Sequence, residues 1–238
     1  MNNKIELSGL IVSPDIYPDS VEKLKFLGFD ILFSCKNYSV SHPLMYHADM
    51  QITRISDDFY VCAPECFEYY TDILKKYNKT IIRGNTYLSC NYPSDFAYNI
   101  IITESLAIHN FKYTDSAVKS NIINKNLINV SQGYTACTLC PVSGKAFITS
   151  DAGIYKKLNS IGYDVLLIDD SKIVLPGFDH GFFGGSSVML SNDLLAVNGK
   201  VEDHPNYNNI KSFCLNYGIN LLSLCDKPIM DIGSFIKI

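Results

Sequence analysis

The sequence predicts an α/β protein built as a closed ring of five strand–strand–helix–strand units, a pseudo-fivefold α/β propeller. Three observations carry that expectation over its rival, an open doubly wound sheet. The order strand, turn, strand, helix, strand recurs at ~40–50 residue intervals, the spacing of repeat architectures. A hairpin turn precedes the helix in four of the units, which plain strand–helix alternation does not need. No Gly-rich phosphate loop follows any strand, which counts against a nucleotide-binding sheet.

The first unit opens on Gly9-Leu10-Ile11-Val12-Ser13 as a strand. A helix capped near Asp19-Ser20 follows, with Val21, Leu24, Phe26 and Leu27 at helical spacing and Gly28 as its stop. Asp30 to Ser34 closes the unit, which lacks one hairpin strand. The second unit pairs Met50–Ile55 with Phe59–Cys62 across Ser56-Asp57-Asp58. Its helix spans Cys66 to Tyr77, with Phe67, Tyr70, Ile73 and Leu74 on one apolar face, and Thr80–Arg83 closes it. The third runs from Asn99–Ile102 through Leu106–His109 to a helix capped by Thr114, and closes on Leu127–Val130.

The fourth unit is the most legible. Gly133 to Val142 reads as a strand, Ser143-Gly144-Lys145 as a turn and Ala146–Thr149 as the return. Asp151 caps a helix from Ala152 to Ser160, Gly162 ends it, and Asp164–Ile168 closes the unit. In the fifth, Ser187–Leu190 pairs with Leu194–Val197, and a helix from Tyr207 to Tyr217 leads to the strand Ile219–Leu224. The strand-like tail Ser234–Ile238 can supply the strand missing from unit one, tying the two ends of the chain together.

The composition sets outer bounds. With 238 residues, 47% of them apolar, the chain can bury a full core and is read as a single domain over 1–238. A net charge of −4 and the lack of a Lys/Arg run argue against nucleic acid as a partner. No apolar run long enough for a membrane span occurs, and Met1 to Glu6 lack a signal-peptide pattern, so the expected location is cytoplasmic. The 8 cysteines are therefore expected as thiols. Cys137 and Cys140 form a C-x-x-C pair, but no second pair of zinc ligands accompanies it. On a strand the two would face opposite sides, which suits neither zinc nor a redox dithiol. No metal and no cofactor are expected.

The pattern resembles the pentein, or guanidine-modifying-enzyme, fold, the propeller of agmatine and arginine deiminases, dimethylarginine hydrolases and amidinotransferases. More closely, it is similar to a clostridial family of that fold. The resemblance rests on Gly133-Tyr134 with Cys137, Ile148 to Asp151, Asp164 to Ile168, and Gly177-Phe178 with Gly181 to Gly185. It implies a site on the central axis, where each hairpin begins. It also implies a Cys nucleophile, a His in an H-x-D pair, and carboxylates that hold a cationic substrate. The chemistry needs each part: a thiolate attacks the amidine carbon, an imidazole moves protons, and carboxylates pair with the guanidinium.

On that resemblance Cys137 is the candidate nucleophile, His47 the acid/base, and Asp49 its orienter or a substrate ligand. As an extended segment, His47-Ala48-Asp49 would put both side chains on one face; the plainer reading is a turn with a core histidine. Cys137 reads equally as a small buried residue. Asp95, Asn99, His180 and Ser186 are candidate substrate contacts. Asp95 is also read as a turn cap after Pro93, and Ser186 as part of a tight turn after paired glycines. His109 and His204 are read as structural. The chain departs from the enzymes of this fold in one respect. Their Cys follows a Gly-rich stretch in the last unit, whereas Gly184 to Met189 holds none and Cys137 lies one unit earlier. The leading expectation is a Cys-dependent hydrolase or transferase acting on a small amidine or guanidine in a central cavity. The alternative is a non-catalytic body that binds a small molecule or a protein.

Overall fold

The structure, a computed structural model, describes residues 9–238. The reading of Met1 to Glu6 falls outside them. Unit one contains β1 (Gly9–Val12), α1 (Pro18–Phe26) and β2 (Asp30–Phe33). Unit two contains α2 (Ala48–Gln51), β3 (Ile52–Ser56), β4 (Phe59–Cys62), α3 (Phe67–Lys75) and β5 (Thr80–Arg83). Unit three has β6 (Ile101–Ile102), β7 (Leu106–His109), α4 (Ser116–Ser120) and β8 (Asn126–Asn129). Unit four has α5 (Thr135–Thr138), β9 (Leu139–Pro141), β10 (Ala146–Thr149), α6 (Ala152–Ser160) and β11 (Asp164–Leu167). Unit five has β12 (Ser187–Ser191), β13 (Leu194–Val197), α7 (Tyr207–Asn216) and β14 (Asn220–Ser223), and β15 (Ile236–Lys237) follows.

These strands form five three-stranded sheets of one topology. In each, the middle strand pairs antiparallel with the first and parallel with the third, across a crossover that carries the helix. Unit one obtains its first strand from the far end of the chain: Leu10 faces Lys237 and Ile11 faces Ile236 in antiparallel register. The C-terminal strand thus closes the circuit, as the tail's sequence predicts.

The middle strands β1, β7 and β10 are buried at every residue, and β4 and β13 at all but the first. Covered on both faces, they read in sequence as continuous apolar runs rather than as alternations. The third strands lie nearer solvent and are exposed at their first residue. Each long helix contributes only a narrow buried stripe. In α1 that stripe is Ser20 and Leu24. Phe26, expected on the apolar face, is 86% exposed. Two residues beyond Leu24, it points roughly 200° around the helix, away from the sheet.

Other elements differ from expectation in instructive ways. The cap of α4 is Asp115, whose carboxylate accepts from the Ala117 and Val118 amides. The Thr114 hydroxyl is unavailable because it faces His109 Nδ1 at 2.6 Å. Helix α1 starts on Pro18 with no side-chain cap, and Asp19 sits in its first turn. Asp151 caps α6 as its position implies, accepting from the Ile154 amide at 2.7 Å. The largest difference lies at the junctions. Ala48–Gln51 and Thr135–Thr138 are single helical turns, not strand, because the Met50 amide closes on His47 O and the Thr138 amide on Tyr134 O. Each turn swings the chain inward just before a first strand begins. Among the described residues, no helix is long and apolar enough to cross a membrane.

Candidate active site

The chemistry-bearing side chains sit at these junctions, two or three residues before a first strand. Unit two brings Asp49, unit three Asn99, unit four Cys137, and the closing strand brings Ser234. All four are buried, and they meet. The Cys137 thiol donates to Asp49 Oδ2 at 3.0 Å and accepts from Asn99 Nδ2 at 3.2 Å. The Ser234 hydroxyl donates to the same Asp49 oxygen at 2.6 Å. Asn99 is fixed in turn, its Oδ1 accepting from the Ala136 amide at 2.8 Å and its carbonyl from the Thr135 hydroxyl at 2.7 Å.

His47 completes the group. One ligating atom each of His47, Asp49 and Cys137 lie within 4.8 Å of one another, a spacing that could also hold a metal ion. His47 Nδ1 and Asp49 Oδ1 are buried without partners. Asp49 therefore faces the thiol and Ser234, and no hydrogen bond joins it to His47. The single turn of α2, not an extended segment, produces this arrangement.

Two further residues shape the site. Asp231 accepts from the Gly233 and Phe182 amides, each at 2.9 Å, and lines a cavity of about 250 Å³ together with His47, Tyr134, Cys137 and His180. Gly233, with φ of 71°, lies against His47, and a Cβ there would stand 2.3 Å from the histidine Cβ. Ser234 follows with φ of 63°, a conformation non-glycine residues rarely adopt. Strain of this kind is typical of functional positions, and here it turns the serine hydroxyl onto Asp49.

The electrostatics are those of buried negative charge without a counter-ion. Burial pushes the Asp49 carboxyl up to about 6, against the pull of its Ser234 and Cys137 hydrogen bonds. Burial, with the Asp49 charge nearby, pushes Asp231 up to about 7. Burial, and then the Asp49 and Asp231 charges, hold the Cys137 thiol well above its ordinary value. Burial lowers His47 to about 3, so its imidazole is neutral. No Lys or Arg lines the 250 Å³ cavity.

The remaining sequence candidates fall in different places. Asp95 accepts from the Tyr134 hydroxyl, so it stands behind a cavity-lining residue and does not line the cavity itself. His180 lies at the cavity, its Nδ1 3.0 Å from Gly181 O and 3.5 Å from Asp170. Ser186 is turned away, its hydroxyl donating to Phe183 O at 2.9 Å within a helical turn. His109 bridges Thr114 and Gly133 O, and His204 Nδ1 accepts from the Asn206 amide, so both are structural. Cys140 packs among apolar side chains, apart from Cys137. Asp231 and Ser234 are the functional candidates that sequence reading misses. The signal for them is positional: Asp231-Ile232-Gly233-Ser234 precedes the closing strand as Asp49, Asn99 and Cys137 precede theirs.

A model of a family of unknown function, DUF6873, matches residues 11–236. The chain belongs to that family. No curated protein matches its sequence. Solved structures do resemble it. An amidinotransferase of the saxitoxin pathway, SxtG from Microseira wollei, superposes with a TM-score of 0.56 at 11% identity, over 92% of this chain and 88% of that one. DDAH from Pseudomonas aeruginosa, solved with citrulline, superposes at 0.58 and 6% identity, over 97% and 98%. ArgZ, an arginine dihydrolase of the cyanobacterial ornithine–ammonia cycle, gives 0.58 at 10%, covering 97% of this chain and 38% of its own. The DUF6873 chain thus has the pentein type of fold. Fold alone does not carry an activity.

Proposed function

We propose that this DUF6873 protein is a Cys-dependent hydrolase or transferase acting on a C–N bond of a small amidinium or guanidinium compound. One observation carries the reading: a thiol is held between Asp49 and Asn99, near a neutral imidazole and a second buried carboxylate, with no cation beside them. Buried carboxylates without a counter-ion are costly, and a planar cation that donates to Asp231, which lines the cavity, relieves that cost. The enzymes named for the similar structures act on amidino or arginine-derived groups, which agrees with this substrate class.

In this mechanism the cation enters the 250 Å³ cavity beside Asp231 and draws the Cys137 thiol toward ionisation. Asp49, 3.0 Å from sulfur, takes the thiol proton. The C–S bond forms at the central carbon, and as the C–N bond breaks the leaving nitrogen takes a proton from His47. His47 regains one from Asp49 through a contact that the resting protein does not make and that their spacing of at most 4.8 Å allows after a small reorientation. The cationic thioimidate that remains is attacked by water or by an acceptor amine. His47 takes a proton from the attacking group, and that proton passes to sulfur as the C–S bond breaks, regenerating the thiol. With water the second proton leaves to solvent, and with an amine the product keeps the positive charge. Asn99 positions sulfur throughout, and Asp95 acts through Tyr134.

A non-catalytic binding role is the second reading, favoured by the raised proton affinity of the Cys137 thiol in the free protein. One experiment separates the two. The protein is incubated with acetamidine, methylguanidine, agmatine and arginine, and ammonia or amine release is measured alongside the intact mass of the quenched protein. Release together with a mass increment on the Cys137 peptide, both lost in Cys137→Ala, supports the enzyme. Saturable binding without release or adduct for any of the four leaves the binding protein. No binding and no release sinks both.

A further inference from the structure

Asp49 lines a second cavity, of about 350 Å³, and not the one that Cys137 lines. Residues of all five first strands line it, among them Thr53, Ile101, Leu139, Val188 and Ile236. It shares Arg54, Ile102 and Thr103 with an outer depression of about 620 Å³ that also takes in Asp57, Glu104 and Lys125. The two are contiguous, so a passage runs from Asp49 and Ser234, past Lys237, to the surface at the β3–β4 turn. Ser234 and Lys237 are three residues apart on a largely extended segment, a depth of roughly 10 Å at ~3.3 Å per residue.

The cations along this passage are held in place but not used up. Lys237 Nζ donates to Met189 O at 2.8 Å and Leu190 O at 3.3 Å. Lys125 Nζ donates to Thr103 O at 2.8 Å and Glu104 O at 3.1 Å. An ammonium has three N–H donors, so each lysine keeps one free. Arg54 pairs through Nη2 with Asp57 at 2.5 Å, while its Nε is buried without a partner. Asp58 is engaged by Lys79 at 2.7 Å. Among the described residues, neither Lys237 nor Lys125 forms an ion pair with a carboxylate. The acids along the passage without an ion pair are the exposed Glu104 at its mouth and Asp49 at its inner end, roughly 10 Å deeper than Lys237. Backbone carbonyls thus hold two lysines, and Asp57 holds an arginine, along one passage, leaving at least three cationic N–H donors unspent.

We propose that this passage is an oxyanion-binding site, taking a small ligand of the carboxylate or phosphate class on Lys237, Arg54 and Lys125. A volume of about 350 Å³ falls at the lower end of the usual range for small-molecule sites. An anion there would relieve two kinds of buried strain: an ammonium partly removed from water, and a guanidinium Nε with no acceptor. Burial and the neighbouring Arg54 charge already depress the Lys237 proton affinity, which agrees with a missing counter-ion. The proposal does not depend on Cys137 being a nucleophile.

The test is thermal unfolding of the full chain in 0–20 mM orthophosphate, and separately malonate, with ionic strength held constant by KCl. A ligand that binds only the folded state raises Tm saturably. The expected result is a saturable rise with at least one probe, weakened at least tenfold in apparent affinity by Lys237→Met and less by Lys125→Met. Cys137→Ala should leave it unchanged, which separates this site from the proposed catalytic one. A response to phosphate alone or to malonate alone sets the ligand class. The proposal is overturned if Tm follows ionic strength only, or if the folded lysine variants respond like the parent. Should Lys237→Met fail to fold, Lys125→Met and Arg54→Gln carry the same comparison.

Discussion

Units two and five have the same skeleton and opposite chemistry. In the β3–β4 hairpin Ile52 faces Cys62, Thr53 faces Val61 and Arg54 faces Tyr60, with an irregularity before Ser56 meets Phe59. In the β12–β13 hairpin Ser187 faces Val197, Val188 faces Ala196 and Met189 faces Leu195, with the same irregularity before Ser191 meets Leu194. Even the burial patterns coincide strand for strand. The junction before β3 nevertheless carries His47 and Asp49, and the junction before β12 carries Gly184, Gly185 and Ser186. The first supplies reactive groups. The second supplies room: a Cβ on Gly184 would stand 2.5 Å from Cys137 O, and one on Gly185 2.0 Å from Asp231 Oδ1. Backbone register repeats from unit to unit, while the chemistry-bearing side chains are confined to a few residues per junction.

The sharpest way to break the comparison is to exchange the roles. His47→Ala should lower kcat/KM toward the amidinium substrate by about 10²–10⁴-fold, the usual range for a general acid–base. Ser186→Ala, at the corresponding place in unit five, should change it by less than about threefold, since it loses only a local hydrogen bond of ~1 kcal/mol. Comparable losses in both variants would mean that the junctions are equivalent after all. Gly185→Ala should cost about 3 kcal/mol in urea unfolding, near the upper end of overpacking, because the added methyl meets a carboxylate that two amides hold.

The two buried carboxylates make a pH prediction with a definite sign. Asp49 and Asp231 keep their protons in the fold at pH values where the unfolded chain releases them, so they favour the folded state at low pH and lose that effect as pH rises through about 6 and about 7. His47, lowered to about 3, and His109, lowered to about 4, act in the opposite direction, because the unfolded chain protonates both near their ordinary value of 6.5 while the fold keeps them neutral. These contributions overlap with that of Asp231, whose share is the difference between the parent and Asp231→Asn, in which the histidines cancel. The parent should lose stability relative to Asp231→Asn as pH rises from about 5 to about 7, by at most ~1.4 kcal/mol per pH unit. A difference that stays flat, or grows in the parent's favour, would contradict the assignment. The smallest effect is expected at the closing strand. Ser234→Gly relieves the left-handed backbone while removing the hydroxyl on Asp49, so its stability should lie above that of Ser234→Ala by about 1 kcal/mol.

Much of the fold was legible because it is written locally. Helix α6 and strands β4, β7 and β13 run where capping residues, turns and apolar runs put them. The closing strand was legible too, since the first unit visibly lacked a partner. The site was legible only in part. Cys137, His47, Asp49 and Asn99 do converge, and His180 lines the cavity beside them. Asp95 reaches the cavity only through Tyr134, and Ser186 not at all. Nothing local distinguishes a hydroxyl that turns back on Phe183 O from one that turns onto Asp49.

By itself the sequence determined the repeated unit, the buried middle strands and the polar junctions, all of which depend on neighbours a few residues apart. Tertiary structure decided which junction groups touch. The bond from Cys137 to Asp49 spans 88 residues and that from Ser234 to Asp49 spans 185. Such contacts depend on how the ring closes and on a single helical turn before each first strand. They also depend on glycines whose missing side chains leave space, and no local pattern of apolar residues encodes these.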